Sequence, residues 1–344
     1  MWKTILITWW AWYIWAHWVV AFEQAWYKTI IVDDFSNSKP TQLDGIKKIL
    51  WYSPKFYKVD LKNKKELEKV FNENQIDGVI HFAWWKAVWE SCEKPIEYFE
   101  NNISGSINLF ACMKKHNVKN LIFSSSATVY NQEIFDKENF SWAKEIDPVW
   151  NTTNPYWTTK YIIEKILKDL SKFAKFNIVI LRYFNPIWAH PTWYIWEDPN
   201  GIPNNLLPFI MKVATWELKE LKVFWNDYNT EDGTWKRDYI DVNDLITWHL
   251  KAYKKLEETK EDGFFEVYNL WTWKSTSVLE MVKIAEKVTW KKIPYKIVWR
   301  REWDLADVYC NPEKAEKELN WKANISLEES LKNAWRFSNN KLYF

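Results

Sequence analysis

A strand, a turn, a helix and a second strand follow one another in the first 34 residues, and this order constrains the fold more than any other feature. The run KTILIT at 3–8 is short, apolar and β-branched, as in a buried parallel strand. Helical spacing of apolar residues continues through 13–27, and a second strand, KTIIVDD at 28–34, ends in carboxylates. The chain therefore begins with a β-α-β unit, which builds parallel sheets.

The same segment has a second interpretation. Residues 4–22 are 19 residues without Asp, Glu, Lys or Arg, roughly the length of a membrane span. Tryptophan, however, favours the bilayer interface over its centre, and no second hydrophobic span follows in a chain that is 27% charged. We therefore predict no membrane segment.

The turn after the first strand is made mostly of tryptophan. It reads TWWAWYIWAHW at 8–18, and the chain has 28 Trp but only 6 Gly in 344 residues. Turns and helix ends rely on Gly, normally about 7% of a globular sequence, because positive φ costs it little. We hypothesise that most tryptophans stand where glycines belong, as when UGA glycine codons are translated with a code that reads UGA as Trp. Trp321 is a candidate for a true tryptophan.

With glycine for tryptophan, the turn becomes GGAGYIG and matches a dinucleotide-binding motif. Trp9, Trp12 and Trp15 fall on the three glycines of GxxGxxG, which allow a tight turn, close approach of the pyrophosphate and helix packing. Asp33 lies 18 residues after Trp15, where an acid hydrogen-bonds the adenosine ribose and disfavours NADP. The unit therefore predicts NAD as cofactor.

Strands and helices alternate over residues 1–185. The strands are expected near 4–8, 29–33, 56–60, 78–82, 120–125 and 177–183. This alternation predicts an α/β fold, a Rossmann-like doubly wound parallel sheet that binds NAD. Residues 186–344 are more irregular, and we expect mainly a smaller C-terminal substrate-binding lobe, with segments that can return to the first domain.

Composition excludes several functions. The net charge is +2 with acidic and basic residues well mixed, so the chain lacks the basic stripe of a nucleic-acid-binding protein. Cys92, Cys112 and Cys310 are far apart and form no CxxC, which indicates neither a disulfide framework nor a metal site. We expect a cytoplasmic protein that acts on a small molecule.

Tyr156 and Lys160 are candidates for acid–base chemistry. They are four residues apart in YWTTK, which places them on one helix face. A phenol with a pKa of about 10 is a poor base, but an adjacent ammonium and an oxidised nicotinamide lower its pKa. A bare YxxxK is more often a surface pair; the serines of NLIFSSSATVY at 120–130 strengthen the assignment, because they end a strand where open α/β sheets bind ligands.

With glycine read for tryptophan, residues 4 to about 330 resemble the UDP-glucose 4-epimerases (UDP-galactose 4-epimerases) of the extended short-chain dehydrogenase/reductase family. The motifs that carry the resemblance are TWWAWYIWAH (8–17), VDDFSNS (32–38), HFAWWKAVWES (81–91), FSSSATVY (123–130), NPYWTTK (154–160), LRYFNPIWAHP (181–191), GIPNNLLPFI (201–210), TEDGTWKRDYIDVNDL (230–245) and RREWDL (300–305).

The resemblance implies an isomerase of galactose metabolism. It would interconvert UDP-galactose and UDP-glucose by transient C4 oxidation with tightly bound NAD, using Ser126, Tyr156 and Lys160 as catalytic residues. Ala127 and Thr128 replace the Asp–Glu pair of the sugar-nucleotide 4,6-dehydratases, which argues against dehydration. Three alternatives stay open: an epimerase for UDP-N-acetylhexosamines, one for another UDP-sugar, and a non-catalytic NAD-binding protein. The family also implies a homodimer joined by helices that match 91–115 and 156–172.

The remaining site residues are implied by matching positions. The cofactor contacts are Trp9, Trp12, Tyr13, Ile14, Trp15, Asp33, Asp34, Asn37, Ser38, Asp60, Leu61, Phe82, Ala83, Lys86, Asn101, Ser126, Tyr156, Lys160 and Phe184. The substrate contacts are Ser126, Tyr156, Asn185, Asn205, Leu206, Phe224, Arg237, Arg301, Asp304 and Val308. Phe82 and Ala83 also fit a buried strand, and either arginine alone fits a solvated surface charge. Val308 matches a position where epimerases confined to glucose and galactose carry tyrosine, so it leaves room for an acetamido group.

Overall fold

The structure is a computed structural model of the chain. It describes residues 2–8, 14–35, 41–82, 85, 87–131, 134–135, 142–183, 185–187, 190–192, 194–195, 203, 205–299 and 309–340. No helix within these ranges is long and apolar enough to cross a membrane.

The secondary structure alternates strands and helices along the chain. The strands are β1 (Thr4–Thr8), β2 (Lys28–Asp33), β3 (Lys55–Lys58), β4 (Gly78–His81), β5 (Asn120–Ser126), β6 (Asn177–Tyr183), β7 (Asn185–Ile187), β8 (Leu221–Phe224), β9 (Lys236–Asp241), β10 (Phe265–Asn269), β11 (Ser275–Ser277) and β12 (Tyr295–Val298). The helices are α1 (Ile14–Gln24), α2 (Thr41–Leu50), α3 (Lys64–Glu73), α4 (Val88–Glu93), α5 (Pro95–Phe99), α6 (Gly105–Lys115), α7 (Pro155–Ala174), α8 (Leu206–Ala214), α9 (Val242–Glu258), α10 (Val278–Thr289), α11 (Glu313–Glu318) and α12 (Leu327–Asn340). A π-helical turn (Glu100–Ser104) precedes α6, and a 3-10 turn (Ala127–Val129) follows β5.

A parallel sheet forms the centre of the molecule. Within the described residues it has seven strands in the order β3-β2-β1-β4-β5-β6-β10, and every neighbouring pair is parallel. The chain order reverses at β1, which pairs with both β2 and β4. This is the doubly wound arrangement of the Rossmann fold, and ligands bind at such a reversal, at the carboxyl ends of the strands. The predicted fold class is therefore confirmed.

Each face of the sheet has its own hydrophobic core, because successive side chains of a strand point to opposite sides. Ile5 and Ile7 of β1 join the core that contains buried residues of α1 and α9. Leu6, between them, joins the core that contains buried residues of α3, α6 and α7. Helices thus cover both faces, and functional side chains concentrate at the strand ends.

The second half of the chain contributes to the sheet and also forms smaller sheets. β10 pairs with β6, and α9 packs against α1, β5 and β6. β9 pairs in parallel with β7 and antiparallel with β11, while β8 pairs in parallel with β12. The helices α8, α10 and α12 contact one another beside these short strands.

Candidate active site

The predicted tyrosine and lysine lie at the start of α7. Asn154 caps this helix, since its side-chain oxygen accepts a 3.0 Å hydrogen bond from the backbone N–H three residues later, and Pro155 takes the first helical position. Both residue types favour helix N-termini. Tyr156 and Lys160 therefore lie one helical turn apart on the same face of α7. The helix contacts β5 and the 3-10 turn that comes directly after Ser126.

Lys160 is buried, with 3% of its surface exposed. Its Nζ donates a 2.6 Å hydrogen bond to the backbone carbonyl of Ser124 and lies 5.1 Å from the centre of the Phe123 ring. A buried ammonium needs such partners because its desolvation is costly. These contacts hold a positive charge at the carboxyl end of β5, one helical turn from Tyr156.

Tyr156 is half-buried. Burial raises the pKa of its phenol above the ordinary value of 10.0, because an apolar environment disfavours the phenolate. The sequence predicted a lowered pKa, but the residues of the chain alone do not produce it. A lowered pKa of Tyr156 in the presence of an oxidised nicotinamide therefore stays a prediction.

Ser126 is the last residue of β5 and is 8% exposed. Its Oγ accepts hydrogen bonds from the hydroxyl of Thr128, at 2.9 Å, and from the backbone N–H of the same residue, at 3.3 Å. Both contacts use the oxygen as acceptor and leave its proton for donation. Ser126 can therefore donate to a substrate hydroxyl at the edge of the sheet.

Two tyrosines that the sequence analysis missed interact electrostatically with Tyr156. Tyr183 ends β6, and its hydroxyl shares a hydrogen bond with Ser124 Oγ. Tyr98 lies in α5, and its hydroxyl donates to the backbone carbonyl of Ala87 at 2.9 Å. Burial above all raises the pKa of both phenols; Glu90 adds to the rise at Tyr98, and Tyr156 contributes at both. The position of Tyr183 at the end of a predicted strand was the signal in the sequence that could have identified it.

A buried histidine was also missed. His81 ends β4, with Nδ1 2.7 Å from Thr8 Oγ1 and Nε2 2.8 Å from Ser106 Oγ. Burial first, and then the charge of Lys160, lowers its pKa to about 3. The imidazole is therefore neutral at physiological pH and adds no second positive charge beside Lys160. Its signal in the sequence is a histidine that ends an apolar strand.

Two carboxylates lie at the edge of the sheet where a dinucleotide is expected. Asp33 ends β2, is 1% exposed, and accepts a 2.8 Å hydrogen bond at Oδ1 from the backbone of Phe35. Asp60 follows β3, and its Oδ1 accepts a 2.8 Å hydrogen bond from the backbone of Lys62. Because β2 and β3 are parallel neighbours, both acids lie at the carboxyl edge of the sheet. A β-α-β unit that ends in a buried acid fits the ribose of NAD.

Other predicted cofactor contacts are buried to different degrees. Leu61 is 8%, Phe82 4% and Asn101 7% exposed, and Asp34 is half-buried. The Phe82 ring centre lies 4.9 Å from that of Trp18, so this side chain packs into the core. This agrees with the alternative interpretation of Phe82 as a buried strand residue. Contact of these residues with NAD remains a prediction.

Apart from Ser126 and Tyr156, the predicted substrate residues lie in the second half of the chain. Asn185 in β7 is paired with Tyr239 of β9, and Arg237 lies two residues before Tyr239. Because strand side chains alternate, Asn185 and Arg237 share one face of that sheet. The Arg237 guanidinium lies 4.9 Å from the Trp235 ring centre and donates from Nη1 to the backbone carbonyl of Lys236 at 2.7 Å.

The remaining described substrate residues are at element ends. Asn205 precedes α8, Leu206 begins it, and Phe224 ends β8. Their contact with a UDP-sugar stays a prediction.

Several predicted site residues lie outside the described residues. They are Trp9, Trp12, Tyr13, Asn37, Ser38, Ala83, Lys86, Phe184, Arg301, Asp304 and Val308; of Ile14 and Trp15 only the backbone is described, at the start of α1. In the part of the chain that is described, no group of three or more His, Cys, Asp or Glu residues is placed to hold a metal ion.

A Rossmann sheet with a Ser, a Tyr and a Lys at its carboxyl edge is typical of enzymes that use a bound nucleotide cofactor. Residues 5–270 match the NAD-dependent epimerase/dehydratase family, and the chain belongs to this family. It is 48% identical over 334 residues to the UDP-glucose 4-epimerase of Pasteurella multocida, which covers 97% of this chain and 96% of that protein.

Solved structures are similar over almost the whole chain. The UDP-glucose 4-epimerase of Bifidobacterium longum in complex with NAD+ and UDP has a TM-score of 0.90 and 41% identity, covering 99% of both chains. The enzyme of Stenotrophomonas maltophila with bound NAD and formylated UDP-arabinopyranose has a TM-score of 0.91 and 35% identity, also covering 99% of both.

Proposed function

We propose that this protein interconverts UDP-galactose and UDP-glucose as an NAD-dependent 4-epimerase. The observation that carries the proposal is that α7 presents Tyr156 and Lys160 beside the strand end occupied by Ser126. The 48% identity to a UDP-glucose 4-epimerase over nearly the full length supports the same substrate.

The chain's own residues supply proton transfer and orientation. Ser126 holds the sugar 4-hydroxyl by a hydrogen bond, and the Tyr156 phenolate takes the proton of that hydroxyl. Tyr156 returns the proton after the 4-keto sugar has rotated to present its other face. Lys160 favours the phenolate through its charge. Bound NAD would supply the acceptor of the C4 hydride in its oxidised form and the donor that returns it to the opposite face of the sugar in its reduced form. No net redox change results, so UDP-sugar is the only substrate consumed.

The deciding experiment is incubation of purified protein with UDP-galactose and NAD, followed by NMR of the sugar anomeric protons. We expect an equilibrium mixture of UDP-glucose and UDP-galactose from either starting sugar. NAD binding without conversion would instead identify a binding protein of the same fold. Conversion of another UDP-sugar with no turnover of UDP-galactose would replace the proposed substrate.

We further propose that the protein is a cytoplasmic homodimer. Ile96 of α5 is 76% exposed and Ile107 of α6 is 48% exposed, and both lie in a segment that resembles the family's dimer helices. A symmetric dimer is the commonest oligomer and would cover such residues. The three cysteines are free thiols, as in a reducing compartment. Light scattering at micromolar concentration tests the assembly: a twofold mass supports it, and a monomer contradicts it.

We also propose that the functional protein carries glycine at most of the tryptophan positions. Among the described residues, eleven other than glycine have positive φ, and six of them are tryptophan: Trp26, Trp51, Trp216, Trp225, Trp273 and Trp290. A left-handed backbone is strained for a bulky residue and natural for glycine. Trp290 takes this conformation at the C-terminal end of α10, where helices most often have glycine.

The exposure of these side chains supports the same proposal. Trp51 and Trp290 are each 91% exposed, Trp26 71% and Trp216 70%, so these four indoles gain little burial to offset the strain, whereas Trp225 and Trp273 are half-buried. The gene decides the question: TGA at these codons supports the proposal, and TGG at codons 9, 12 and 15 would overturn it. We call the chain with glycine at positions 9, 10, 12 and 15, at the other family-glycine positions and at the six positive-φ positions the glycine form.

A further inference from the structure

A buried ion pair lies on the same helix face as Tyr156 and Lys160. Glu164 comes four residues after Lys160 and eight after Tyr156 on α7, so the three side chains form one row along about 12 Å of helix. Glu164 is 5% exposed, and its partner Arg182 of β6 is 4% exposed. The row therefore joins the predicted catalytic residues to a charge pair inside the protein.

The pair has the geometry of a two-pronged clamp. Arg182 donates from Nε to Glu164 Oε1 at 3.0 Å and from Nη2 to Oε2 at 2.5 Å. Two parallel hydrogen bonds between planar groups fix orientation as well as distance. A helix held in this way cannot rotate or slide on the sheet without breaking the pair.

A third contact ties the clamp to the strand of Ser126. Ser125 Oγ donates to Glu164 Oε1 at 2.5 Å, and Ser125 is paired with Arg182 in the register of β5 and β6. The residue beside Ser126 is thus bonded directly to α7. Through this contact, the depth of α7 against β5 sets the distance between its first turn and Ser126.

The surroundings of the pair exclude water. The guanidinium lies 4.8 Å from the centre of the Tyr130 ring, and the Tyr130 hydroxyl donates to Asn269 Oδ1 at 2.8 Å. Buried ion pairs add little net stability, because the desolvation of two charges offsets their attraction. Apolar residues of similar volume would stabilise the fold equally well, so stability alone does not explain this pair.

We propose that Glu164 and Arg182 are positioning residues: their ion pair sets the depth and rotation of α7 and thereby places Lys160 and Tyr156 against Ser126. This inference rests on the proposed epimerase function. It concerns residues that touch neither the substrate nor the nucleotide, so their removal acts on the rate through Tyr156 and Lys160.

The test replaces both charges together, in the glycine form. Glu164→Leu with Arg182→Met preserves volume and removes both charges of the pair, and Tm is measured beside kcat because the Ser125 hydroxyl loses its acceptor. We expect kcat for UDP-galactose to fall about 10- to 100-fold, with KM changed less than about twofold. The acidic limb of the kcat–pH profile, which reports deprotonation of Tyr156, moves to higher pH because the ammonium of Lys160 is less well placed.

Two further variants separate positioning from stability. Leu167→Ala, on the same helix and fully buried, lowers Tm by leaving a cavity and should leave kcat and the acidic limb unchanged. Arg182→Lys keeps the charge but loses the fork, so its kcat should lie between those of the parent and the double variant. A double variant with parental kcat and an unmoved acidic limb would overturn the inference. A parent that converts no UDP-galactose would overturn the proposed function as well.

Discussion

The Lys160 ammonium donates a 2.6 Å hydrogen bond to the backbone carbonyl of Ser124. Ser124 lies two residues before Ser126 on the same strand, so the bond fixes a positive charge close to the hydroxyl expected to hold the sugar. Burial alone raises the pKa of Tyr156. We therefore expect the phenol of Tyr156 to act as a base only when the charge of Lys160 and a bound nicotinamide offset this burial.

Replacing the base should remove activity without removing the cofactor. In Tyr156→Phe of the glycine form, kcat should fall at least ~10²-fold, the lower end of general-base contributions, while NAD content stays stoichiometric. Tyr161→Phe, the adjacent tyrosine on α7, is the matched control and should keep parental activity. Near-normal turnover of Tyr156→Phe would remove this residue from the mechanism.

Removing the neighbouring charge should change the pH dependence. Lys160→Met takes away the ammonium that favours the phenolate, so the pKa of Tyr156 rises and the acidic limb of the kcat–pH profile moves to higher pH. Lys168→Met changes an exposed lysine two turns further along the same helix and should leave the limb in place. Equal profiles for the two variants would show that Lys160 does not act on Tyr156.

The parts of the fold that sequence predicts are those set by local pattern. The apolar runs of β1, β2 and β6 gave their positions within a residue, because a strand buried on both faces has a continuous apolar sequence. The three-residue strands β7 and β11 have no such pattern. They exist because β9 lies between them and supplies hydrogen bonds from distant parts of the chain.

The active site shows the same division. The four-residue spacing of Tyr156 and Lys160 is visible in one helix, whereas the pair of Glu164 with Arg182 forms only when α7 packs on β6. A signal was present: Arg182 interrupts the apolar strand NIVILRY, and a charge inside a buried strand requires a partner. Which residue is the partner of Arg182 depends on how α7 packs against β6.

His81 should make the protein less stable in acid. Its pKa is about 3 in the folded protein, against 6.5 ordinarily, so between these values the unfolded chain takes up a proton that the folded chain refuses. The contribution of His81 to the free energy of unfolding is therefore present above about pH 6.5 and is lost as the pH drops toward 3. In His81→Asn, the difference in unfolding free energy between about pH 7 and pH 5 should shrink by about 2 kcal/mol.

The measurement for His81 is urea unfolding at both pH values. Ser106→Ala removes the hydrogen-bond partner of Nε2 but keeps the imidazole. It should lower stability at both pH values while keeping the parental difference between them. A His81→Asn protein with an unreduced difference would contradict the assignment of this proton uptake to His81.

Val308 should widen the choice of sugar. In the resemblance to the epimerases, a tyrosine at this position closes the pocket to N-acetylated sugars, and valine leaves space for the acetamido group. We expect the glycine form to convert some UDP-N-acetylglucosamine and Val308→Tyr to lose that activity while keeping UDP-galactose turnover. A parent that converts UDP-galactose well and UDP-N-acetylglucosamine not at all contradicts this prediction.

The last prediction concerns the tryptophans themselves. A left-handed backbone costs a residue with a Cβ about 1–2 kcal/mol, and six tryptophans have positive φ. Together these positions cost an amount comparable to the ~5–15 kcal/mol by which a domain is stable. Indoles at positions 12 and 15 would further occupy space that the dinucleotide motif reserves for the pyrophosphate and for helix packing. We therefore expect the all-tryptophan chain to be insoluble or free of NAD, and the glycine form to be soluble with bound NAD.

The measurement is cofactor content per chain after purification. Trp321→Gly is the control, since loss of a true tryptophan should destabilise the glycine form. A well-folded all-tryptophan protein with stoichiometric NAD would refute the glycine proposal.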